Sequence, residues 1–265
     1  MSQGASFHDQ AILSLCQYPY LFKIVFVPLL DIYYIKKLGK SKTLITVAGT
    51  VLFLLLFFLG SNSEEYLMEK RVGLITVLWF VITVFVVLFH LGIEVWALTL
   101  FEPDRRHMGG ILVNLGVHVG TVIGLNLFVL FNSKDWWNEH FFGKESKWRL
   151  EHELVTHHQF VQGTAVVLLA LIVYSTLFLS EKRLDDSRTQ NLKKTFKAVV
   201  GMFGNHLMLK LLIIMSVFRF LQSMFDKSNE LKFIEKGYNK TTLVNFQSGI
   251  LPLQMLLSFS LPFIA

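Results

Sequence analysis

VGLITVLWFVITVFVVLF, the stretch Val72–Phe89, contains no Asp, Glu, Lys or Arg. Two other stretches, Met108–Phe131 and Thr241–Ala265, also lack these charged residues. A helix needs about 20 mainly apolar residues to cross the hydrocarbon core of a bilayer. Lipid offers the backbone no hydrogen-bonding partner, so a crossing segment must satisfy its own N–H and C=O groups as a helix. These stretches therefore predict an all-α integral membrane protein.

The composition agrees with this prediction. Of the 265 residues, 53% are hydrophobic and 17% are charged, whereas soluble domains carry about 25% charged residues. The charges lie mostly between seven hydrophobic segments, and we expect each segment to cross the bilayer. The segments are Gln10–Tyr34, Thr43–Gly60, Val72–Leu100, Met108–Phe131, Phe160–Ser180, Leu207–Met224 and Leu243–Ala265.

The loops predict an orientation and an organisation. Lysines and arginines dominate the loops at residues 36–42 and 182–197, which fall on one side of the membrane if every segment crosses. The positive-inside rule makes that side cytoplasmic, or the matrix side of a mitochondrial membrane. We expect about five spans within residues 1–180, a polar central loop with an interfacial helix at 181–206, and about two spans within 207–265.

Several classes of function find no support in the sequence. The net charge of +6 is scattered over many loops, without the dense basic stripe that predicts nucleic-acid binding. No glycine-rich phosphate loop, nucleophile elbow or HExxH pattern occurs, so nothing predicts an enzyme. His152, His157 and His158 lack a second group of ligands with zinc spacing. The sequence therefore predicts no nucleic-acid partner, no metal and no cofactor.

Four ionisable residues fall within or beside the hydrophobic segments: Lys23, His90, Glu94 and Arg219. Such residues are costly in lipid and commonly face a partner, a cavity or a substrate. Glu94 follows His90 by four residues, so the two share one face of a helix. They could form a hydrogen-bonded pair, or a proton or substrate site, and the two long cationic side chains could instead reach the interface.

Gly116, Gly120 and Gly124 repeat every four residues in the fourth segment. This spacing forms one smooth helix face, and small residues let membrane helices approach closely. We therefore predict a helix-packing face at these glycines. In a transporter the same face could also slide or line a cavity.

One short motif predicts a modification. Asn239-Lys240-Thr241 matches the acceptor pattern for N-glycosylation. The predicted topology places it on the exterior or lumenal side, close to the last hydrophobic segment. Asn239 is therefore a candidate glycosylation site.

Three groups of short stretches occur in order along the chain. The first group is Asp9-Gln10-Ala11, Leu21-Phe22-Lys23, Pro28-Leu29-Leu30-Asp31 and Gly39-Lys40-Ser41-Lys42. The second is Glu94–Thr99 (EVWALT) with Asn114, Gly120, Gly124 and Asn126, and the third is Lys194–Ala198 (KTFKA) with Gly237-Tyr238 and Pro252-Leu253-Gln254. Together they resemble the acetyl-coenzyme A transporter family, a branch of the major facilitator superfamily.

The resemblance implies a facilitator fold that moves acetyl-coenzyme A across an organelle membrane, commonly that of the endoplasmic reticulum. It implies that Lys23 and Arg219 supply positive charge along the substrate path, with His90 and Glu94 standing where the family pattern has two aspartates. The superfamily has a gating motif between its second and third spans. Similarity to this motif implies that Asp31, Gly39, Lys40 and Lys42 form a gate.

The resemblance begins at the family's second span and stops at its eighth, which implies a truncated facilitator-like bundle of about seven helices. Facilitators rock two bundles of six spans around a central site. Two hypotheses follow. In the first, the chain transports acetyl-coenzyme A or a related anion, either as a fragment of a longer transporter or completed by a partner or a second chain. Alternatively, it is a pseudo-transporter that serves as a structural subunit of a larger membrane complex, for example in the mitochondrial inner membrane.

Overall fold

The structure, a computed structural model, describes residues 12–30, 34–35, 37–68, 72–102, 105–132, 152–179 and 203–237, with single residues and pairs between these ranges. Within the described residues the fold is helical and contains no strand, which confirms the predicted all-α class. After a short 3₁₀ turn at Leu15–Gln17, the helices are α1 (Tyr18–Leu21), α2 (Lys23–Leu30), α3 (Lys40–Met68), α4 (Val72–Leu100), α5 (Arg106–Asn132), α6 (His157–Phe178) and α7 (His206–Glu235).

Four of the described helices are long and apolar enough to cross a membrane: Lys40–Asn62 within α3, all of α4, all of α6 and His206–Phe225 within α7. They correspond to the second, third, fifth and sixth predicted segments. The fourth segment forms α5, whose described apolar part, Met108–Thr121, is shorter, so its crossing stays a prediction. Nearly all of the last segment, Leu243–Ala265, lies outside the described residues.

The first predicted segment, Gln10–Tyr34, is not one continuous helix, which corrects the expectation of a simple span. It is divided into the 3₁₀ turn, α1 and α2, with a break at Phe22, where φ is −91° and ψ is 9°. Pro19 lies in the first turn of α1, where its missing N–H is tolerated, but Pro28 lies inside α2 and removes a helical hydrogen bond. Two prolines in this segment thus disfavour an unbroken helix.

Helix ends differ from the predicted loops. Lys40 and Lys42, expected in a loop, lie in the first turn of α3, and Glu64 and Glu65 lie in its last turns. The helix α7 likewise continues past Met224 into a charged stretch. Hydropathy locates only the part of a helix that lies in lipid, whereas Lys and Glu are good helix formers that extend it into the headgroup layer.

The chain divides into two compact units, Met1–Val113 with Leu150–Leu192, and Asn114–Arg149 with Lys193–Ala265. In the first unit α3 packs against both α4 and α6. Its apolar core consists of Leu52 and Leu59 of α3 and Ile82 of α4, all buried. In the second unit the span of α7 is exposed along its length, as suits a helix that contacts lipid.

Adjacent glycines at the start of α5 differ in how closely they approach the backbone of α4. A Cβ added to Gly109 would lie 2.7 Å from the carbonyl oxygen of Ala97 and 2.9 Å from its carbonyl carbon, whereas one added to Gly110 would meet no atom within 4 Å. We expect Gly109→Ala to lower the free energy of unfolding by about 1–3 kcal/mol, because backbone atoms cannot yield as a side chain can. Gly110→Ala should leave it unchanged or raise it slightly. Denaturant unfolding in detergent micelles measures both, and equal effects of the two variants would contradict the packing.

Candidate functional site

The candidate site begins at Lys23, the first residue of α2. The break at Phe22 separates this lysine from α1, and the N–H of Val25 donates to the carbonyl oxygen of Phe22 at 2.9 Å as α2 starts. The α2 helix contacts α4. The sequence therefore places a cationic side chain at a helix break, next to the face of α4 that carries His90 and Glu94.

Three side chains meet at this point. The Lys23 Nζ atom lies 2.5 Å from Glu94 Oε2 and 3.3 Å from His90 Nδ1. His90 Nδ1 lies 3.6 Å from Glu94 Oε1, one helical turn along α4. We call Lys23, His90 and Glu94 the α2–α4 cluster. Their side chains are 24%, 28% and 34% exposed, respectively, so the cluster is neither sealed in the core nor free in solvent.

The hydrogen bonds define the electrical state of this cluster. An ammonium group is a donor only, so His90 Nδ1 accepts from Lys23 and the ring proton belongs on Nε2. A neutral His90 then leaves one positive and one negative charge, and the cluster is neutral overall. The Nε2 atom is buried and makes no hydrogen bond to a described residue. Lys23 and Glu94 thus compensate each other, while His90 keeps an unused donor.

The position of the cluster along α4 can be compared with the thickness of a bilayer. This helix has 29 residues and is therefore about 43 Å long. His90 and Glu94 follow its middle residue, Val86, by about 6 and 12 Å along the axis. A hydrocarbon core about 30 Å thick, centred on the helix, would contain both. Pairing with Lys23 is what makes a carboxylate tolerable there.

A second polar arrangement joins the ends of α3 and α6. The Glu181 carboxylate accepts from the backbone N–H groups of Ser41 at 3.2 Å and Lys42 at 3.0 Å, in the first turn of α3. In return Lys42 Nζ donates to the carbonyl oxygens of Thr176, at 2.9 Å, and Leu179, at the end of α6. Each helix end thus receives the charge that its dipole favours. We call this arrangement the α3–α6 clamp.

The start of α3 is shaped for the clamp. Gly39 has a φ of +98°, and a Cβ at this position would lie 2.4 Å from Glu181 Oε2. The Lys42 side chain is buried, at 7% exposure. Nearby, the Thr46 and Thr176 hydroxyls hydrogen bond at 2.9 Å and link the same two helices. Gly39 and Lys42, two of the residues expected to form a gate, are therefore held together with Glu181.

Glu181 was not expected from the sequence. It follows the fifth hydrophobic segment directly and precedes a run of basic residues, Lys182 and Arg183. An acidic residue between the end of a span and a pair of basic residues is the signal that could have indicated it. Its partners on α3 are 139 and 140 positions away in the sequence, which no local pattern reveals.

The structure places the other predicted residues as follows. Arg219 lies in the second unit, where its Nη1 donates to Gln222 Oε1 at 3.2 Å on the same helix. Lys40 Nζ lies 5.3 Å from the centre of the Tyr34 ring. Asp31 and Asn239 lie outside the described residues. Cβ atoms added at the three regularly spaced glycines would meet no described atom within 4 Å, so their packing role stays a prediction: Gly116, Gly120 and Gly124.

Comparison with known proteins bears on the same part of the chain. A family model described as acetyl-coenzyme A transporter 1 matches residues 1–200, a range that includes the α2–α4 cluster and the α3–α6 clamp. An uncharacterized membrane protein of Saccharomyces cerevisiae is 22% identical over 200 residues, which cover 69% of this chain and 35% of the relative. An uncharacterized protein of Schizosaccharomyces pombe is 22% identical over 141 residues, 52% of this chain and 27% of the relative. No solved structure matches.

The α3–α6 clamp predicts a specific loss of stability. Glu181→Gln removes the negative charge that receives two backbone N–H groups but keeps the shape of the side chain. We expect the free energy of unfolding to fall by about 1.5–3 kcal/mol, the range for hydrogen bonds to charged groups. Glu102→Gln, at an exposed position after α4, is the matched control and should change it by less than about 0.5 kcal/mol. Thermal or denaturant unfolding in detergent measures both losses. Equal losses of unfolding free energy in the two variants would contradict a stabilising contribution from the clamp.

Proposed function

Because this chain belongs to the acetyl-coenzyme A transporter family, we propose that it takes part in moving acetyl-coenzyme A, or a related organic anion, across an organelle membrane. By family resemblance that membrane is the endoplasmic reticulum. The observation that carries the proposal is Lys23, a positive charge in a mainly apolar segment that is held by side chains and remains partly exposed.

A multiply charged anion needs positive charge along its route through lipid. Lys23 meets this need because it lies at a break between two helices, a feature that substrate sites in transporters commonly share. Its side chain is 24% exposed, and its partners are side chains that can move aside. A second lysine of the first unit, Lys42, is buried at 7% exposure and donates to backbone carbonyls at a helix end. Lys23 is therefore the better anion-binding group.

The remaining predicted residues enter as proposals with narrower support. Arg219 is proposed as a further cation for the substrate on the resemblance; in the structure it is exposed on the span of α7 and donates to Gln222. Gly39 and Lys42 are proposed to govern movement at the start of α3, since the clamp must loosen if α3 and α6 separate. Lys40 and Asp31 are included on the resemblance alone.

The chain spans about a third of the length of the curated relatives it matches, 35% and 27% in the two comparisons. A facilitator cycle moves two helical bundles about a central site, so full transport by this chain requires further spans. We propose that more of the same protein or a second chain supplies them. The alternative role, as a structural subunit of a larger membrane complex, gains no support from the described residues or from the relatives.

Uptake of labelled acetyl-coenzyme A into proteoliposomes tests the proposal. Lys23→Met should lower uptake about tenfold or more, since losing one charge-assisted contact removes about 1.5–3 kcal/mol of binding. Lys23→Arg should retain part of it. Lys236→Met, at an exposed position just after α7, is the control for loss of a positive charge and should behave as wild type.

Two results would contradict the proposal. Uptake by Lys23→Met equal to that of wild type would exclude Lys23 from the anion site. Absence of uptake by folded wild-type protein, reconstituted together with any chain that copurifies with it, would exclude transport of this substrate. Migration with a fixed set of other subunits on a native gel, in the latter case, would support the structural role instead.

A further inference from the structure

The α2–α4 cluster contains more titratable groups than anion binding requires. A cation alone would attract an anion, yet Lys23 is held by both a carboxylate and an imidazole. From this arrangement we propose that the cluster links anion binding to the uptake of one proton. The inference rests on the proposed function and concerns the same site.

The first step follows from the donors of the lysine. An ammonium group has three N–H donors; in the structure one is directed to Glu94 Oε2 and one to His90 Nδ1. Lys23 makes no further hydrogen bond to a described residue, so the third donor is available to an incoming anion. An anion that approaches this donor competes directly with Glu94 for the same positive charge.

The second step follows from charge balance. Before binding, the cluster is neutral, with Lys23 positive, Glu94 negative and His90 uncharged. When a phosphate or carboxylate oxygen takes the ammonium, Glu94 is left without its cation at membrane depth. An isolated charge there costs several kcal/mol, whereas a proton from the aqueous side restores neutrality.

The third step identifies where the proton goes. Once Lys23 turns to the anion, Glu94 has lost its cation and His90 Nδ1 has lost its donor. The two atoms that remain, His90 Nδ1 and Glu94 Oε1, lie 3.6 Å apart on one face of α4. A proton bound to either of these atoms can form a hydrogen bond to the other, so the proton belongs to the pair and not to one residue. The imidazole suits this task because histidine exchanges protons near neutral pH.

Other charged and titratable groups near α4 do not replace this pair. Apart from Lys23, the described side chains of this kind are Cys16, Tyr18, Tyr20, Lys40 and Lys42 on the elements that contact α4, and Arg105 and Arg106 at the start of α5. None of them forms an ion pair or hydrogen bond with His90 or Glu94. The Lys42 ammonium is directed to the end of α6, and Cys16 Sγ donates to the carbonyl oxygen of Thr76, far along α4 from the cluster.

The bonds and charges of the exchange balance. The hydrogen bonds from the Lys23 ammonium to Glu94 and His90 break, and one from the same ammonium to the anion forms. One proton from water adds to the Glu94 carboxylate or to His90 Nδ1. No electron moves, and release of the anion returns the proton and restores the ion pair. Anion and proton therefore cross together if the site opens to the other side.

Titration calorimetry of the full chain in lipid nanodiscs tests the linkage. Acetyl-coenzyme A is added at pH 8, where its phosphates are already fully ionised because the second phosphate pKa is about 6. The observed heat is compared in buffers of different ionisation enthalpy, and the slope counts the protons taken up. Wild type should take up about one proton for each anion bound, and its affinity should fall up to about tenfold per unit rise in pH.

The variant Glu94→Gln distinguishes a proton site from a merely structural ion pair. Glutamine has the size of glutamic acid and resembles its protonated form, so the variant should still bind the anion. Its binding should take up almost no proton, and its affinity should depend little on pH. Glu102→Gln should behave as wild type. If the Glu94 variant does not fold, the proton count of wild type decides alone.

The outcomes separate the inference from the function on which it rests. If wild type binds the anion without proton uptake, the linkage is overturned and the proposed function still stands. The same follows if Glu94→Gln takes up as many protons as wild type. Failure of folded wild-type protein to bind acetyl-coenzyme A overturns both. Binding with one proton taken up, lost in Glu94→Gln, supports both.

Discussion

A charge that is buried or partly buried between helices must have a partner, and this constraint organises the first unit of the protein. Lys23 and Glu94 neutralise each other between α2 and α4. Lys42 neutralises the carbonyl end of α6, while Glu181 neutralises the amide end of α3. In the clamp, helix termini take the place of ionised side chains, since their partial charges attract ions of the opposite sign. The ion pair between α2 and α4 and the clamp between α3 and α6 are thus responses to one physical requirement.

The two lysines illustrate how the same requirement can serve stability or exchange. Lys42 is bound to backbone carbonyls, which cannot leave without unwinding the helix, and it is nearly sealed from solvent. Lys23 is bound to side chains, which can rotate or take up a proton, and it is partly exposed. A cation held by replaceable partners is suited to receive an anion, whereas one held by a helix end is suited to fasten two helices. This difference is why the proposed function centres on Lys23.

Much of this architecture could be predicted from the sequence. Four spans follow from runs of apolar residues, and the spacing of His90 and Glu94 already placed them on one helix face. The meeting of Lys23 with that pair could not be predicted, because it joins positions 67 and more residues apart. Glu181 was missed for the same reason. The broken first segment was hidden because its hydropathy remains high across Phe22, although the φ and ψ of Phe22 depart from helical values. Helix ends were misplaced wherever charged residues continued a helix beyond the lipid.

The central claim is that Lys23 and Glu94 stabilise each other across α2 and α4. A double-mutant cycle measures it most directly, using Lys23→Met, Glu94→Gln and the double variant, with the free energy of unfolding determined for each in the same lipid or detergent. Because both side chains are partly exposed, we expect a coupling energy of about 1–3 kcal/mol, between the values for surface and buried pairs. Each single variant should leave an uncompensated group, so the double variant should be more stable than the sum of the two losses predicts. Additive losses, within about 0.5 kcal/mol, would show that the two residues do not form the pair on which the cluster depends.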